Sequence, residues 1–453
     1  MSAEGTEQDG REAGIRLRVD PGSFAASPLP IISRLARRPE RLVIAEIGTQ
    51  RFVILTRPAD ARAFLGLDGD GLAKSYGSVR FIIGNGILTS HGQTWRAVRE
   101  RIQPAFAPPR LVDMGADIVD SFDIVIDRWI ADAERQQPVD IMRGLVRATL
   151  DVLLRVLAGT DGRMLDDGDI DAINTALLAA SRHAWLRGGD MYKILAAREP
   201  AFEGAMRRLD KVAVRLFTYQ RSRNDANGGA DGDVLARLVA AHDDPTCNEM
   251  TRRQLRDELL TFLLVGHETT AVALAWALRL LGQHPDIQDA LRREAAGVDA
   301  GMPAREALAA APLATAVFRE SMRLHPPIPV LPRILLAPYE VAGHRFKAGS
   351  FFALPVFAYH RDPAVWPEPK RFLPARFLGD DTALRDSPSY MPFASGPRAC
   401  LGSRFALTEG PLGLLQIVRR LKFQAPDTVL QPIPSAVTLR PESGPHLHLE
   451  AIR

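Results

Sequence analysis

A cysteine near the C-terminal end lies in a stretch that could hold a reactive sulfur. Residues 393–402 read Phe-Ala-Ser-Gly-Pro-Arg-Ala-Cys-Leu-Gly. Gly396 and Pro397 predict a tight, rigid turn, and Gly402 leaves bare backbone beside the Cys400 sulfur, where a flat and bulky group could approach. An apolar, helix-like run follows. Cys400 is therefore expected at the start of a helix, where free N–H groups and the helix dipole favour a thiolate.

A sheltered thiolate is either a metal ligand or a nucleophile. The chain has 2 cysteines in all, and no second cysteine or histidine lies at zinc spacing from Cys400. An isolated sulfur ligand indicates an iron whose other ligands come from a macrocycle. A buried structural thiol is nevertheless the commoner state of a lone cysteine, so the surrounding residues have to decide between the two interpretations.

A second stretch with polar groups that could do chemistry lies inside an apolar run. The pattern predicts a long helix over residues 251–281, with Thr251 and Gln254 as a capping box. Gly266 and Thr269 share one face of this helix. A glycine in mid-helix costs about 1 kcal/mol relative to alanine, which indicates function or close packing. The common alternatives are a threonine bonded back to its own helix and an acid facing solvent.

The same run is apolar enough over residues 259–281 to be mistaken for a membrane span. Its centre, residues 267–270, reads His-Glu-Thr-Thr. A helix facing lipid would be heavily penalised for these groups. We therefore expect a central helix buried in protein and no transmembrane anchor.

The cysteine stretch resembles the haem-binding loop of the cytochrome P-450 family, which reads Phe-x-x-Gly-x-Arg-x-Cys-x-Gly. The fixed positions are all met, by Phe393, Gly396, Arg398, Cys400 and Gly402. The resemblance implies that Cys400 is the axial thiolate ligand of a haem b. It further implies that Phe393 packs near the sulfur and that Arg398 pairs with a haem propionate, with the two glycines in the same cofactor-binding loop.

The central helix also resembles that family, whose pattern here is Ala/Gly-Gly-x-Asp/Glu-Thr-Thr. Residues 265–270 read Val-Gly-His-Glu-Thr-Thr, so Val265 departs at the first position and should narrow the pocket beside the iron. The resemblance implies that Gly266 leaves room for dioxygen. It implies that Thr269 hydrogen-bonds the bound oxygen and that Glu268 helps to bring protons from solvent through water.

Three further residues are propionate partners by resemblance. Trp95 and Arg99 lie four residues apart on one face of a predicted helix at residues 91–106. Taken alone, the pair is better explained as a packed aromatic beside a solvated charge. With the haem loop present, both become partners of the cofactor, and Arg333 joins them, because a guanidinium can bind a carboxylate through two hydrogen bonds.

A Glu-x-x-Arg pair lies on a predicted helix that ends at Pro326 and Pro327. By resemblance, this pair belongs to a buried network. Glu320 and Arg323 could be a routine exposed pair. In the family the pair is buried and joined by an arginine from a later loop, which Arg376 matches here. The family has an acidic residue where this chain has alanine just before that arginine. We assign the three to folding and to holding the cysteine loop.

The predicted substrate pocket is apolar. Resemblance places Leu88, Phe262, Val265 and Val437 around it. Fatty acids, terpenoids, polyketides and hydrophobic peptides all fit this description, and the motifs are most similar to those of soluble bacterial members, fatty-acid hydroxylases in particular. The sequence therefore predicts a hydrophobic small molecule without naming it.

Composition excludes several other classes of protein. The chain has 453 residues, 46% hydrophobic and 25% charged, which is ordinary for a globular protein. Its formal net charge of +3 is too small for a nucleic-acid binder. Two cysteines far apart in sequence give no disulfide framework and fit a reducing compartment, so we expect a cytoplasmic protein.

The predicted fold is mainly α with a smaller β-rich lobe, the cytochrome P-450 fold, with haem between the long central helix and the cysteine loop. Residues 1–20 are expected to form a flexible tail and residues 21–453 a single domain. Finer expectations are β-rich parts at about 41–57, 328–354 and 423–450, helical parts at about 91–326 and 400–420, a loop at 76–90 and a strand at 436–439.

The predicted activity is that of a haem-thiolate monooxygenase, which inserts one oxygen atom from O2 into its substrate by C–H hydroxylation or epoxidation. No reductase segment follows in the sequence, so electrons from NAD(P)H would arrive through a separate ferredoxin or flavodoxin with its reductase, and the protein is expected to be a monomer. Two alternatives stay open: a peroxide-driven or isomerising haem-thiolate enzyme, and a non-catalytic haem sensor or carrier. Glu268 and Thr269 argue against both.

Overall fold

The structure is a computed structural model that covers most of the chain. The described residues are 14–67, 71–106, 114–135, 139–184, 191–227, 233–244, 250–299, 301–379, 383–427, 432, 437–441 and 447–452. Helices dominate, and a smaller β-rich lobe is built mainly from residues 15–74 and 331–354. The prediction of a mainly α fold with a small β-rich lobe is therefore confirmed.

Several helices begin where the sequence supplies a cap. Asp140, Asp166 and Asp233 each accept a hydrogen bond from the backbone N–H three residues later, which satisfies a donor that the helix start leaves free. The helices are α1 Pro21–Ala26, α2 Pro28–Leu35, α3 Pro58–Leu65, α4 Gly77–Ile83, α5 Gly92–Ile102, α6 Gly115–Glu134, α7 Ile141–Ala158, α8 Asp167–Arg182, α9 Met191–Arg198, α10 Phe202–Asn227, α11 Val234–Asp243, α12 Arg252–Val265, α13 Glu268–Gln283, α14 Pro285–Ala296, α15 Ala304–Ala310, α16 Pro312–Leu324, α17 Val356–Tyr359, α18 Ala383–Asp386 and α19 Ser403–Arg420.

The strands of the described residues form one large sheet and two hairpin-like pairs. They are β1 Ile15–Val19, β2 Leu42–Ile47, β3 Gln50–Leu55, β4 Leu72–Lys74, β5 Leu331–Leu335, β6 Tyr339–Val341, β7 His344–Phe346, β8 Phe351–Leu354, β9 Leu421–Gln424 and β10 His448–Ala451. The large sheet has the order β1-β2-β3-β8-β5-β4, with β1 parallel to β2 and β3 parallel to β8. The pairs are β6 with β7 and β9 with β10.

Both faces of the large sheet are covered by apolar clusters. Alternate residues of a strand point to opposite sides, so one strand contributes to both clusters. In β8, Phe351 packs with Phe24 of α1 in one apolar cluster, whereas Phe352 packs with Phe64 of α3 in another. The helices enclose a larger apolar core of their own. The edge strand β4 pairs with β5 and carries Lys74 at its end.

The central run is two helices, not one. Thr251 caps α12 by accepting from the Gln254 N–H at 3.1 Å, but the Gln254 side chain bonds Asn85 O instead of returning to the cap. Helix α12 ends at Val265 and α13 begins at Glu268, so the prediction of one continuous helix is wrong at residues 266–267. Gly266 lies at this break with ordinary helical dihedral angles, φ −74° and ψ −32°, and a Cβ there would lie 2.7 Å from Phe262 O, so close packing explains the glycine.

The central run is buried in protein, as the polar residues at its centre require. Arg252–Gln283 is the one stretch of the described residues long and apolar enough to cross a membrane, and 83% of its most apolar window is buried. Helix α13 packs against α7, α16 and α19. His267 and Glu268 are 0% and 2% exposed.

Three local predictions are corrected. Residues 1–13 lie outside the described residues, but Ile15–Val19 form β1, because alternating apolar residues suit a half-buried strand. The predicted loop at 76–90 contains α4, whose apolar residues recur at helical spacing. The predicted strand at 436–439 is absent over residues 437–439, where Leu439 instead accepts a hydrogen bond from Trp276 Nε1.

The predicted buried network is brought together by α16. Arg323 Nε donates to Glu320 Oε2 at 2.7 Å, and its Nη2 donates to Oε1 at 2.8 Å. Both side chains are 0% exposed. Arg376 approaches the same carboxylate, with its Nε 3.4 Å from Oε1.

The network also binds the irregular segment before the cysteine stretch. Arg323 donates to the backbone carbonyls of His360, Pro369 and Arg371. His360 Nε2 in turn accepts from the Met391 N–H at 2.9 Å, two residues before the cysteine stretch begins. The ion pair therefore reaches that stretch through one histidine.

We predict that Glu320→Gln lowers the free energy of unfolding by about 3–5 kcal/mol, because it leaves the Arg323 guanidinium buried without its counter-charge. Denaturant titration followed by circular dichroism measures the change. Glu368→Gln is the matched control, since Glu368 pairs with Arg371 at the same spacing but with side chains 54% and 64% exposed. The control should change stability by less than about 1 kcal/mol. Equal effects of the two substitutions would contradict a stabilising role for the network.

Candidate functional site

A cavity of about 250 Å³ lies between the break of the central helices and the cysteine stretch. Most predicted site residues line it, whereas Gly396 and the network residues Glu320, Arg323 and Arg376 do not. The predicted residues that line the cavity are Leu88, Trp95, Arg99, Phe262, Val265, Gly266, Glu268, Thr269, Arg333, Phe393, Arg398, Cys400, Gly402 and Val437.

The cysteine stretch folds back on itself and presents the sulfur to the cavity. The Cys400 N–H donates to Phe393 O at 3.0 Å, which closes the loop. Gly396 has a φ of +75°, and a Cβ there would lie 2.0 Å from Leu65 O, so this glycine serves close packing. A Cβ on Gly402 would meet nothing within 4 Å. The backbone beside the sulfur is therefore open to a flat group.

The Cys400 thiol is not activated by a helix end, contrary to the prediction. Helix α19 begins three residues later, at Ser403. Burial raises the pKa of Cys400, and this effect outweighs the opposing influence of Lys74, the Gly402 N–H and Arg99. The unliganded sulfur is therefore a thiol at neutral pH. A metal ion deprotonates a coordinating thiol outright, so thiolate formation here depends on a metal.

Four cations from four separate elements face the same cavity. They are Lys74 of β4, Arg99 of α5, Arg333 of β5 and Arg398 of the cysteine stretch. Burial lowers the pKa of Lys74 well below its usual value, and repulsion from Arg333 and Arg398 adds to this shift. Burial likewise lowers the pKa of Arg333, and that of Arg398 to about 10.

These cations lack counter-charges. Arg398 is 4% exposed, and its Nε and Nη1 have no hydrogen-bond partner, while its guanidinium carbon lies 5.0 Å from the centre of the Trp95 ring. Within the described residues, none of the four cations forms an ion pair. Buried charges are costly unless paired. The arrangement therefore fits a ligand with at least one anionic group.

Glu268 is the one carboxylate among the described residues that line the cavity, and its hydrogen-bond partners are Thr438 and Arg440. Arg440 Nη1 donates to its Oε2 at 3.0 Å, and Thr438 Oγ1 donates to its Oε1 at 3.4 Å. Burial raises the pKa of Glu268, and Arg440 opposes that shift. Arg440 also donates to Asn174 Oδ1 at 3.2 Å. Arg440 therefore links the Glu268 carboxyl to the Asn174 side chain.

Thr269 lines the cavity beside the helix break. Its Oγ1 donates to Val265 O at 3.3 Å, the back-bonding state that the sequence leaves open as an alternative. A Cβ on Gly266 would lie 2.9 Å from Leu153 Cδ1, so α7 approaches too closely for a side chain there. The hydroxyl and the bare glycine thus lie side by side at the cavity wall.

Four residues of the site were not predicted from the sequence: Lys74, Tyr76 and Thr438, which line the cavity, and Arg440, which bonds Glu268. Lys74 and Tyr76 reach the cavity only because β4 pairs with β5, and the Tyr76 side chain hydrogen-bonds Arg333. Thr438 and Arg440 approach Glu268 from a segment about 170 residues away. Such long-range contacts have no local periodicity, so pattern reading misses them.

A metal at Cys400 would need ligands from outside the chain. In the part of the chain that the structure describes, no group of three or more histidine, cysteine, aspartate or glutamate side chains could hold a metal ion. The cavity contains one sulfur, open backbone at Gly402 and four cations that form no ion pair among the described residues. Together they fit a flat, anionic, metal-bearing cofactor.

Comparison with known proteins gives one consistent family. The family model described as Cytochrome P450 matches residues 24–448. Cyclooctatin synthase of Streptomyces melanosporofaciens is 32% identical over 78% of this chain and 76% of its own length. Putative cytochrome P450 135A1 of Mycobacterium tuberculosis is 32% identical over 88% and 85%, and cyclooctat-9-en-7-ol 5-monooxygenase of S. melanosporofaciens is 29% identical over 89% and 87%.

Proposed function

Because the chain belongs to the cytochrome P450 family, whose members hold haem through a cysteine thiolate, we propose that Cys400 is the iron ligand of a haem b bound in this cavity. The chain is a P450 monooxygenase. The observation that carries the assignment is a single sulfur that shares a cavity with four cations, two of them buried, that form no ion pair among the described residues.

Bound haem supplies dioxygen activation, which electron donation from the thiolate favours. The residues near the sulfur would stabilise the negative charge of a metal-bound thiolate. Lys74 and Arg99 act through their charge and Gly402 through its N–H, and all three already lower the pKa of Cys400. The open backbone at Gly402 leaves room for the ring.

The cations are assigned to the two haem propionates. Arg398 has a free Nε and a free Nη1, enough for a two-point contact with one carboxylate. Trp95 supports the Arg398 guanidinium from its ring face. Lys74, Arg99 and Arg333 supply the remaining positive charge, and the anions would restore the ordinary protonation of these buried groups.

Thr269 and Glu268 are proposed to move protons on the other side of the cavity. The Thr269 hydroxyl can leave Val265 O by rotation about one bond and donate into the cavity. Burial raises the pKa of Glu268 and favours its proton-holding form, whereas Arg440 favours the carboxylate. Opposed effects of this kind suit a group that gains and loses a proton during turnover. Gly266 leaves space for oxygen beside them.

The proposed substrate is a hydrophobic small molecule. Leu88, Phe262, Val265 and Val437 form apolar wall, and the Phe106 ring stacks on Phe262 with centres 6.4 Å apart. Val265 narrows the space beside the helix break. Members of the family act on hydrophobic substrates, and fatty acids, terpenoids, polyketides and hydrophobic peptides remain candidates on the same grounds.

The remaining components follow from the family. P450 enzymes generally receive electrons from redox partners. For this chain we propose a separate ferredoxin or flavodoxin with an NAD(P)H-dependent reductase, a monomeric state and a cytoplasmic location. The burial of the central helix supports the absence of an anchor. Product formed with such a reductase system, but not with peroxide alone, would distinguish this function from a peroxide-driven one.

We predict that Lys74→Met weakens haem binding about tenfold, because it removes one charge-assisted contact to a propionate. The same substitution should raise the thermal stability of the haem-free protein, since a desolvated cation beside Arg333 and Arg398 disappears. Haem transfer to apomyoglobin and calorimetry measure the two effects. Lys422→Met, at an exposed position of β9, is the control. Unchanged haem affinity would remove Lys74 from the cofactor site.

We predict that Thr269→Ala uncouples electron use from product. Electrons should still be consumed while product falls and hydrogen peroxide accumulates, because the hydroxyl that directs a proton is gone. The ratio of product to NAD(P)H consumed is measured with the compound that binds most tightly in a spectral titration of hydrophobic candidates. Thr408→Ala removes a similar back-bonding hydroxyl from the exposed face of α19 and should leave the ratio unchanged. An unchanged ratio in Thr269→Ala would exclude the proposed role.

A further inference from the structure

Residues 84–90 form one wall of the cavity between α4 and α5, and we refer to them as the wall segment. Ile87 and Leu88 line the cavity. The segment has no regular secondary structure and contains no ionisable side chain. Its position in the pocket therefore depends on what its backbone binds.

Helix α12 holds the backbone of the wall segment through polar side chains. The Ile87 N–H donates to Glu258 Oε2 at 2.8 Å, and the Asn85 N–H donates to Asp257 Oδ2 at 2.8 Å. Gln254 Nε2 donates to Asn85 O at 2.9 Å. Carboxylates accept such backbone bonds more strongly than neutral groups do. The wall is thus attached to α12 at two successive turns.

Glu258 is the unusual member of this group. It is 0% exposed, and its other oxygen accepts from Gln254 Nε2 at 2.6 Å. Arg256 pairs with Asp257 and Asp210, not with Glu258. Among the described residues Glu258 therefore has hydrogen-bond donors but no counter-charge, which is a costly arrangement to maintain.

The backbone of the wall segment packs closely against α12. A Cβ on Gly84 would lie 2.1 Å from Asp257 Oδ2, and one on Gly86 would lie 2.0 Å from Thr261 Oγ1. Gly84 also has a φ of +62°. Backbone and helix are therefore in direct contact, and a change at the carboxylates moves the wall itself.

The cysteine side of the cavity holds the same wall from the opposite direction. Arg398 Nη2 donates to Ser90 O at 2.6 Å and to Ile87 O at 3.4 Å. Ile87 thus gives its N–H to Glu258 and its carbonyl to Arg398. One residue of the wall is fixed between α12 and the residue assigned to a haem propionate.

We propose that Glu258 is a positioning residue that holds Ile87 and Leu88 in place and thereby sets the size of the group that the pocket accepts beside the cofactor. This inference rests on the proposed haem function. It adds a determinant of selectivity that itself does not line the cavity. Glu258 acts through one backbone N–H.

The same geometry makes the wall sensitive to pH. Burial raises the pKa of Glu258 to about 7, and the charge of Asp257 adds to the shift. The other charged groups around the contact are Arg256 and Arg253 on α12, Asp210 on α10, Arg80 on α4 and, across the wall, Arg398.

Protonation of Glu258 turns one of its oxygens into a hydroxyl, which is a weaker acceptor, so the hydrogen bond from either the Ile87 N–H or Gln254 Nε2 weakens below this pH. Because the folded protein holds the proton more tightly than the unfolded chain does, the stability that protonated Glu258 contributes is present at acid pH and is lost as the pH rises through about 7.

Isocyanides of different length test the proposal, because they bind haem iron and do not titrate near neutral pH. The measurement is the ratio of the dissociation constants of n-butyl isocyanide and methyl isocyanide, taken from spectral titrations of the haem-loaded protein. Glu258→Leu should change this ratio about threefold or more, the consequence of one lost hydrogen bond. Glu258→Gln, which can still accept from Ile87, should stay within about twofold of the unaltered protein.

The pH profile separates positioning from general stability. In the unaltered protein the isocyanide ratio should shift with a midpoint near 7, and in Glu258→Gln it should be flat. Glu294→Gln is the matched control, because Glu294 is another partly buried carboxylate that accepts two backbone N–H groups, from Leu313 and Ala314, and it does not line the cavity. The control should keep both the ratio and its pH dependence.

Clear outcomes would overturn the proposal. An unchanged ratio in Glu258→Leu, or an equal change in Glu294→Gln, contradicts the positioning role. If Glu258→Leu fails to fold, Gln254→Met applies the same test by removing the donor to both Glu258 and Asn85. Failure of the unaltered protein to bind methyl isocyanide would contradict the haem function itself, which distinguishes the two claims.

Discussion

Four cations that form no ion pair among the described residues are the constraint on which the structure depends. Arg333 and Arg398 are buried, and Lys74 and Arg99 are partly buried. Burying even one unpaired charge is expensive, yet Lys74, Arg99, Arg333 and Arg398 converge from a sheet edge, a helix, a second strand and the cysteine stretch. No single element accounts for this convergence. An anionic cofactor would account for it, because its charge would offset theirs and its metal would favour the thiolate form of Cys400.

The opposite wall of the cavity is built by the break between α12 and α13. Gly266 ends the first helix, and the adjoining residues place Thr269 and Glu268 at the cavity. In α12, Gln254, Asp257 and Glu258 bind the backbone of the wall segment. Further along the same helix, Phe262 and Val265 line the cavity. The residues proposed for proton transfer, oxygen space and pocket size therefore all lie in the run 252–283. Arg398 connects this side to the cysteine side through Ile87.

The parts of the site that the sequence predicts are those whose residues lie close together in the chain. The loop around Cys400, the Gly266–Thr269 face and the Glu320–Arg323 pair each lie within a few residues, so pattern alone brings their members together. Lys74 and Arg440 were missed because their places depend on strand pairing and on a distant segment. The place of Cys400 at a helix start was predicted wrongly, because the helix after the cysteine stretch begins only at Ser403. Apolar periodicity continues through residues 266–267, so the pattern predicts one helical run there, and Gly266 is the local sign that the helix loosens.

The most direct test of the account is the absorption spectrum of the reduced protein with carbon monoxide. The unaltered protein should show the strongly red-shifted band of a thiolate-bound haem, and Cys400→Ser should lose it. Cys247→Ser removes the other cysteine of the chain and should keep the band. A red-shifted band that persists in Cys400→Ser, or its absence from haem-loaded unaltered protein, would contradict the assignment of the sulfur.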